Sequence, residues 1–250
     1  MEEKLTEIIR ERYEQVLEKI ANCSKSNPDR IRPARLVVVT KTHSMETISA
    51  AIDAGIREFG ENYAEEAIEK IKNFSGFDNL IWHMIGHVQS RKASLVVNNF
   101  DLVHSLDSYK LALRFDNFAA EHNRKLKVLL ECNVTGEETK FGFLTFDYST
   151  WPKLAEEAMR ISELPHLEIR GLMTMPPLYD EPEKNRSAFR KLRELSDYLN
   201  KNTPKINWKE LSMGTSNDYS IAVEEGATLV RVGSAILGSR PKHPDNVILR

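Results

Sequence analysis

The chain has 250 residues, 41% of them hydrophobic, and a formal net charge of −2. That length buries a full core, and the near-neutral charge excludes the basic excess that nucleic acid or an acidic membrane surface requires. Its two cysteines, Cys23 and Cys132, form no CxxC, the charged start MEEKLTEIIRERYEQVLEKI has no signal-peptide core, and no apolar run approaches bilayer length. A disulfide framework, a cysteine-based zinc site and a membrane partner are therefore not expected, and the expected location is the cytoplasm.

Leu5, Ile8, Ile9, Tyr13, Val16, Leu17 and Ile20 recur at helical spacing. They predict an amphipathic helix inside an amino-terminal extension over 1–30, ending at a polar turn over 24–30. From there strands and helices alternate. LVVVT (36–40) precedes the helix METISAAIDAG (45–55), and EFGEN (58–62) precedes a helix to 72. IWHMIG (81–86) leads to SRKASLVVN, and LVHSL (102–106) to a helix over 108–122. KVLLECNV (127–134) leads to a long loop and a helix over 151–163. EIRGLMTM (168–175) precedes a helix over 183–201, ELSMG (210–214) a short helix over 218–225, and TLVRVGSAI (228–236) comes last. Eight strands with seven helices between them predict parallel pairing through right-handed crossovers. Runs such as LVVV and VLL suit strands covered on both faces. The expected fold is α/β, a single (β/α)8 TIM barrel over 1–250 with an extra amino-terminal helix. A doubly wound open sheet is the alternative, because strand order is not written in the sequence.

In a barrel the active face lies at the carboxyl ends of the strands. Polar residues gather there: Lys41, then Glu61 and Asn62, then His87 and Gln89, then Asn133, then Ser212, Thr215, Ser216 and Asn217, and finally Gly233 and Ser234. SMGTSND (212–218) and RVGSAILG (231–238) place small residues between a strand end and a helix start. Such loops either bind an anion through backbone N–H groups or only turn the chain. Arg231, between Val230 and Val232, needs partners if buried. Glu224 or Glu225 would supply them, or a ligand at the barrel mouth would. Lys41 follows an apolar strand, where an amine either snorkels to water or is desolvated into its nucleophilic neutral form. His83 and His87 form H-x3-H, but on a strand their separation is roughly 13 Å, too far for one metal ion. The loop TGEETKFGF (135–143) is either a lid or a solvated connection.

From Leu36 to Arg240 the chain resembles the pyridoxal 5′-phosphate homeostasis proteins, the YggS/PROSC group of the alanine racemase amino-terminal-domain superfamily. The matching pieces are VVTKTH around Lys41, FGENYAEE (59–66), WHMIGHVQSRK (82–92), and Asn133, Glu137, Lys140 and Gly142 in N-x3-E-x2-K-x-G. GLMTM (171–175), LSMGTSNDY (211–219) and VRVGSAILG (230–238) complete the set. Thr215 stands where the family usually has Met, and Arg91 where Asn is common.

The resemblance implies a fold-type III barrel in which Lys41 holds pyridoxal phosphate as an internal aldimine. It implies that the Ser216 hydroxyl and the N–H groups of Gly233 and Ser234 bind the phosphate, and that Arg231 faces the pyridine nitrogen. It places Asn62 and His83 near the cofactor and Lys140 toward the phenolic oxygen. An arginine at the ring nitrogen weakens the electron sink, though racemases of the superfamily also carry one. A racemase needs a base on each substrate face, and only Lys41 is identified. With about a dozen residues after the last strand, the second domain that supplies the other base in those enzymes is not expected. The expectation is a monomeric carrier that serves vitamin B6 homeostasis and delivers the cofactor to apo-enzymes. The alternative is a fold-type III racemase or lyase.

Overall fold

Strands apolar on both faces need every backbone polar group paired with a neighbouring strand. The computed structural model, which describes residues 2–25 and 33–239, meets this need by closing the sheet. The turn expected over 24–30 lies mostly outside the described residues, as does Arg240. The barrel strands are β1 (Arg35–Val39), β2 (Glu58–Glu61), β3 (Ile81–Met84) and β4 (Leu102–Leu106), then β5 (Leu126–Asn133), β6 (Leu167–Met173), β7 (Glu210–Ser212) and β8 (Leu229–Val232). Each pairs in parallel with the next, and β8 returns to β1 through Arg35 to Val38. The ring is closed, so the open-sheet alternative falls.

The helices are α1 (Glu2–Ser24), α2 (Met45–Asp53), α3 (Ala64–Asn73), α4 (Ala93–Asn99), α5 (Tyr109–Glu121), α6 (Trp151–Ser162), α7 (Arg186–Asn202), α8 (Tyr219–Glu224) and α9 (Ser234–Leu237). Their starts carry sequence signals. The Ser44 hydroxyl accepts the Thr47 N–H before α2, the Ser108 hydroxyl accepts the Leu111 N–H before α5, and Pro152 opens α6. Helix α1 packs Ile9, Val16 and Ile20 against α2, α8 and α9.

Two differences from the sequence expectation concern β8 and the long loop. The strand expected over 228–236 stops at Val232, and Ser234 opens α9, because Gly233 turns the chain. The loop after β5 contributes a two-residue strand, Phe143–Leu144, that pairs with Cys132 and Asn133.

Strand alternation divides the core. One large apolar layer lies between barrel and helices, and a smaller interior cluster consists of Val37, Leu102, Leu129, Met173 and Leu229. Interior positions toward the strand starts are polar, with Arg35, Glu58 and Glu210 joined by ion pairs of 3.4 and 3.1 Å.

Candidate functional site

A cavity of about 360 Å³ opens where the strands end, within the size range of small-molecule sites. Lys41 reaches it after β1, Asn62 after β2, Lys140 after β5, the loop of Gly214 to Asp218 after β7, and Arg231, Gly233 and Ser234 on β8 and its turn. Met175, Pro176, Pro177 and Leu178 form an apolar side after β6. Seven of the eight residues expected at a cofactor site thus meet in one cavity.

His83 does not join them. It points into the barrel beneath the mouth and is 1% exposed. Its Nδ1 lies 2.9 Å from His104 Nε2, and its Nε2 lies 3.2 Å from Glu58 Oε2 in an off-axis contact. Ile85, two residues further along the chain, lines the cavity in its place. Glu61 is also turned away: it is fully buried and pairs with Lys70 of α3 at 2.8 Å. Asn133 braces the loop that follows, accepting the Gly136 N–H at 2.9 Å and donating to the Glu137 carbonyl at 2.8 Å.

Between β7 and β8 the backbone comes close enough to cradle an anion. The Gly233 N–H donates to Ser216 Oγ at 3.2 Å. Asp218 holds the loop, accepting the Thr215 N–H at 2.6 Å and the Asn185 side-chain amide at 2.7 Å. Gly214 adopts φ 90°, and a Cβ there would lie 2.6 Å from Ala222 Cβ. A Cβ at Gly233 would press to 3.0 Å from the Val39 carbonyl oxygen. Gly214 therefore requires glycine, and Gly233 leaves little room for a side chain.

Arg231 is 2% exposed. Its Nη1 donates to Ser212 Oγ at 2.5 Å and its Nη2 to the Thr174 carbonyl at 2.9 Å. Neither Glu224 nor Glu225 serves it. Those carboxylates are held by α7, with Arg186 at 2.6 Å from Glu224 and with Arg186, Arg190 and Arg193 within 3.2 Å of Glu225. Burial lowers the guanidinium to about 10, against the pull of Asp218 and Glu131, so it remains protonated at neutral pH.

The partners of Arg231 fix a run of hydrogen bonds. Arginine only donates, so Ser212 Oγ accepts from it. The Ser212 hydroxyl then donates to His104 Nδ1 at 2.8 Å, and His104 donates from Nε2 to His83 Nδ1. This is the arrangement that gives the Ser212 hydrogen an acceptor. Burial holds His104 well below its ordinary value, with His83 and Arg231 adding to it, so its ring is neutral. At the far end burial would raise Glu58, but His83 and Arg35 outweigh it and keep Glu58 ionised.

Lys140 lies on the arch between β5 and α6. Beside it Phe141 stacks on His87 with ring centres 3.7 Å apart, and His87 Nδ1 lies 3.2 Å from Asp107. Glu131, on the inward face of β5, was not anticipated. One of its carboxylate oxygens is buried without a hydrogen-bond partner among the described residues. Burial, then Asp107, raises it to about 7, with Arg231 and Lys140 opposing. Counting two residues on from inward Leu129 would have found it. Among the described residues no cluster of His, Cys, Asp and Glu is arranged to hold a metal ion. None of the described helices is long and apolar enough to cross a membrane.

Comparison with known proteins agrees with this geometry. The family model described as alanine racemase, N-terminal domain, matches residues 17–241. The pyridoxal phosphate homeostasis protein of Vibrio alginolyticus is 40% identical over 209 residues, covering 82% of this chain and 86% of that one. Its counterpart in Haemophilus influenzae is 37% identical over 226 residues, covering 90% and 93%. PipY of Synechococcus elongatus PCC7942, solved with PLP bound, superposes with a TM-score of 0.75 at 36% identity, over 88% of this chain and 100% of that one. With a strand-end lysine and a glycine-lined loop gathered at the mouth of a closed barrel, the family model over most of the chain and the relatives matched over most of their length show that the chain belongs to the alanine racemase N-terminal domain family and, within it, to the pyridoxal phosphate homeostasis proteins.

Proposed function

We propose that the protein binds pyridoxal 5′-phosphate at the barrel mouth, linked covalently to Lys41, and passes it to apo-enzymes that depend on it. The observation that carries this reading is the convergence of Lys41, Arg231 and the Ser216–Gly233 cradle on one cavity. These residues fit the group. The cradle suits a phosphate, since the Ser216 hydroxyl and the Gly233 N–H meet at the start of α9, where backbone N–H groups point outward. The Arg231 guanidinium suits a ring nitrogen, because it donates and has a buried Nε still without a partner among the described residues. Lys41 supplies the amine that reacts with an aldehyde. Asn62 and Lys140 line the space between them. When bound, the cofactor supplies an aldehyde and a conjugated ring able to accept electrons from an attached amino acid.

The carrier reading rests on Arg231. A carboxylate partner would keep the ring nitrogen protonated, whereas a guanidinium donates to it and weakens electron withdrawal. The guanidinium keeps its own proton at neutral pH, and Ser212 and the Thr174 carbonyl fix its orientation. In this reading the chain acts as a monomer.

Titrating the purified protein with pyridoxal phosphate tests binding. A yellow complex is expected that Lys41→Ala abolishes, and a wild type that stays colourless at excess cofactor would refute the assignment. Transfer is tested by mixing the loaded protein with an apo-enzyme and comparing reactivation with that by free cofactor. Sustained turnover of any L-amino acid, followed by α-deuterium exchange, would replace the carrier with an enzyme.

A further inference from the structure

The structure points to Lys70, a buried lysine of α3 outside the cavity, as the positioning residue that holds Lys41 in place; this inference, which we propose here, rests on the reading of Lys41 as the cofactor-linking amine. Lys70 is 2% exposed. Its ammonium donates to the Thr40 carbonyl at 2.8 Å, to Glu61 Oε1 at 2.8 Å and to Glu66 Oε1 at 2.5 Å. Each acceptor returns to the turn that carries Lys41. Glu61 Oε1 also accepts the Thr40 hydroxyl at 2.6 Å. Glu66 Oε1 also accepts the Thr42 N–H at 2.7 Å. The residues on both sides of Lys41 are thus tied to one buried cation.

The tie is needed because the turn is not self-supporting. The His43 N–H returns to the Thr40 carbonyl at 3.1 Å. That closes a four-residue turn whose third residue, Thr42, has φ 63°. A glycine or asparagine usually fills such a position, and a β-branched residue rarely does. Glu66 secures the Thr42 N–H in this conformation, and Lys70 secures Glu66.

The spacing follows from the sequence. Glu66 and Lys70 are four apart on α3 and share a helix face. Glu61 ends β2, next to β1 in the barrel. The placement matters for chemistry, because small displacements of a reacting group lower rates steeply. Linking Lys41 to an aldehyde replaces the carbon–oxygen double bond with a carbon–nitrogen double bond, and the two hydrogens of the neutral amine leave with the carbonyl oxygen as water. No oxidant or reductant takes part, and what the protein controls is where the amine stands.

Pyridoxine 5′-phosphate, which carries an alcohol in place of the aldehyde, separates positioning from general damage. It fills the same phosphate and ring contacts but forms no bond to Lys41. Dissociation constants for both compounds are measured by intrinsic fluorescence on wild type, Lys70→Met, Glu66→Ala and Glu66→Gln. Thr42 amide hydrogen exchange is measured on the same proteins without ligand. Lys70→Met is expected to bind pyridoxal phosphate at least about tenfold more weakly and pyridoxine phosphate about equally. Glu66→Ala should shift the same ratio and speed Thr42 exchange, and Glu66→Gln, which keeps an acceptor oxygen, should restore most of both. If Lys70→Met leaves Glu61 unpaired and fails to fold, the Glu66 pair decides. Equal losses for both compounds, or no loss for either, would overturn the inference while leaving the binding site in place. A wild type that binds pyridoxine phosphate but forms no bond to the aldehyde would overturn the Lys41 assignment and this inference with it.

Discussion

Replacing Glu131 with glutamine isolates the buried carboxyl on β5. Burial first and Asp107 second raise it from an ordinary 4.5 to about 7. Between those values the unfolded chain has released the proton and the folded chain still holds it. The folded state binds more protons there, so stability falls as pH rises through that window. A displacement of this size corresponds to about 3 kcal/mol once pH passes 7, and slightly less if the side chain relaxes toward water. Glutamine has nearly the same shape, keeps an acceptor and does not titrate. The variant should therefore match the wild type at pH 5 and exceed it by about 2–3 kcal/mol at pH 8. Urea unfolding of cofactor-free protein at half-unit steps from pH 5 to 8 gives both curves. Curves that stay parallel would refute the reasoning, because they would show Arg231 and Lys140 already cancelling the effect of burial.

Ser216→Ala removes a hydroxyl from the cradle and should weaken pyridoxal phosphate binding about tenfold, measured by fluorescence titration, while the yellow Lys41-linked form still develops at saturation. Gly233→Val should lower affinity for inorganic phosphate and cofactor together, since its Cβ would press on the Val39 carbonyl; phosphate competition checks this. Ser212→Ala strips Arg231 Nη1 and His104 Nδ1 of a shared partner and should destabilise the fold by about 2–4 kcal/mol in urea. Arg231→Glu should give slow transamination of an added amino acid, detected as pyridoxamine phosphate, and no change would argue against control by the ring-nitrogen partner.

The barrel was legible because its evidence is periodic. Eight apolar runs alternate with amphipathic helices, and each polar residue that follows a strand inherits a place on one face of the fold. Position in the chain and the family resemblance therefore pointed to Lys41, Ser216 and Gly233, which the structure brings to one cavity. His83 was misplaced for a physical reason. The motif WHMIG puts it near the cofactor in sequence, but a strand of four residues rises some 13 Å, and His83 lies below the level at which β3 opens into the cavity. Glu61 stands at a strand end with the other polar residues, but its side chain is buried against Lys70 of α3. A carboxylate beside a strand end resembles a ligand contact, and only the helix-side partner Lys70 shows which face it takes. Long-range partners such as His104 and Ser212, 108 residues apart, leave no local pattern. The same holds for Arg231, whose choice between Glu225 and the mouth depended on where α7 sent its arginines.

That choice also determines what the mouth offers a ligand. Had Glu225 paired with Arg231, the positive charge would have been spent inside the protein. Instead, three α7 arginines hold Glu225, and Arg231 donates to a hydroxyl and a carbonyl. Neutral acceptors fix its orientation without cancelling its charge. The hydroxyl can serve because neutral His104 accepts its hydrogen, and His104 stays neutral because it is buried beside His83 and two arginines. The polar interior beneath the mouth therefore has a use that an apolar filling would not. It holds a buried cation in a donating geometry, for which a ring nitrogen with a lone pair is a better partner than a protonated one. Carrier chemistry, in this view, begins with the hydrogen-bond direction set at Ser212.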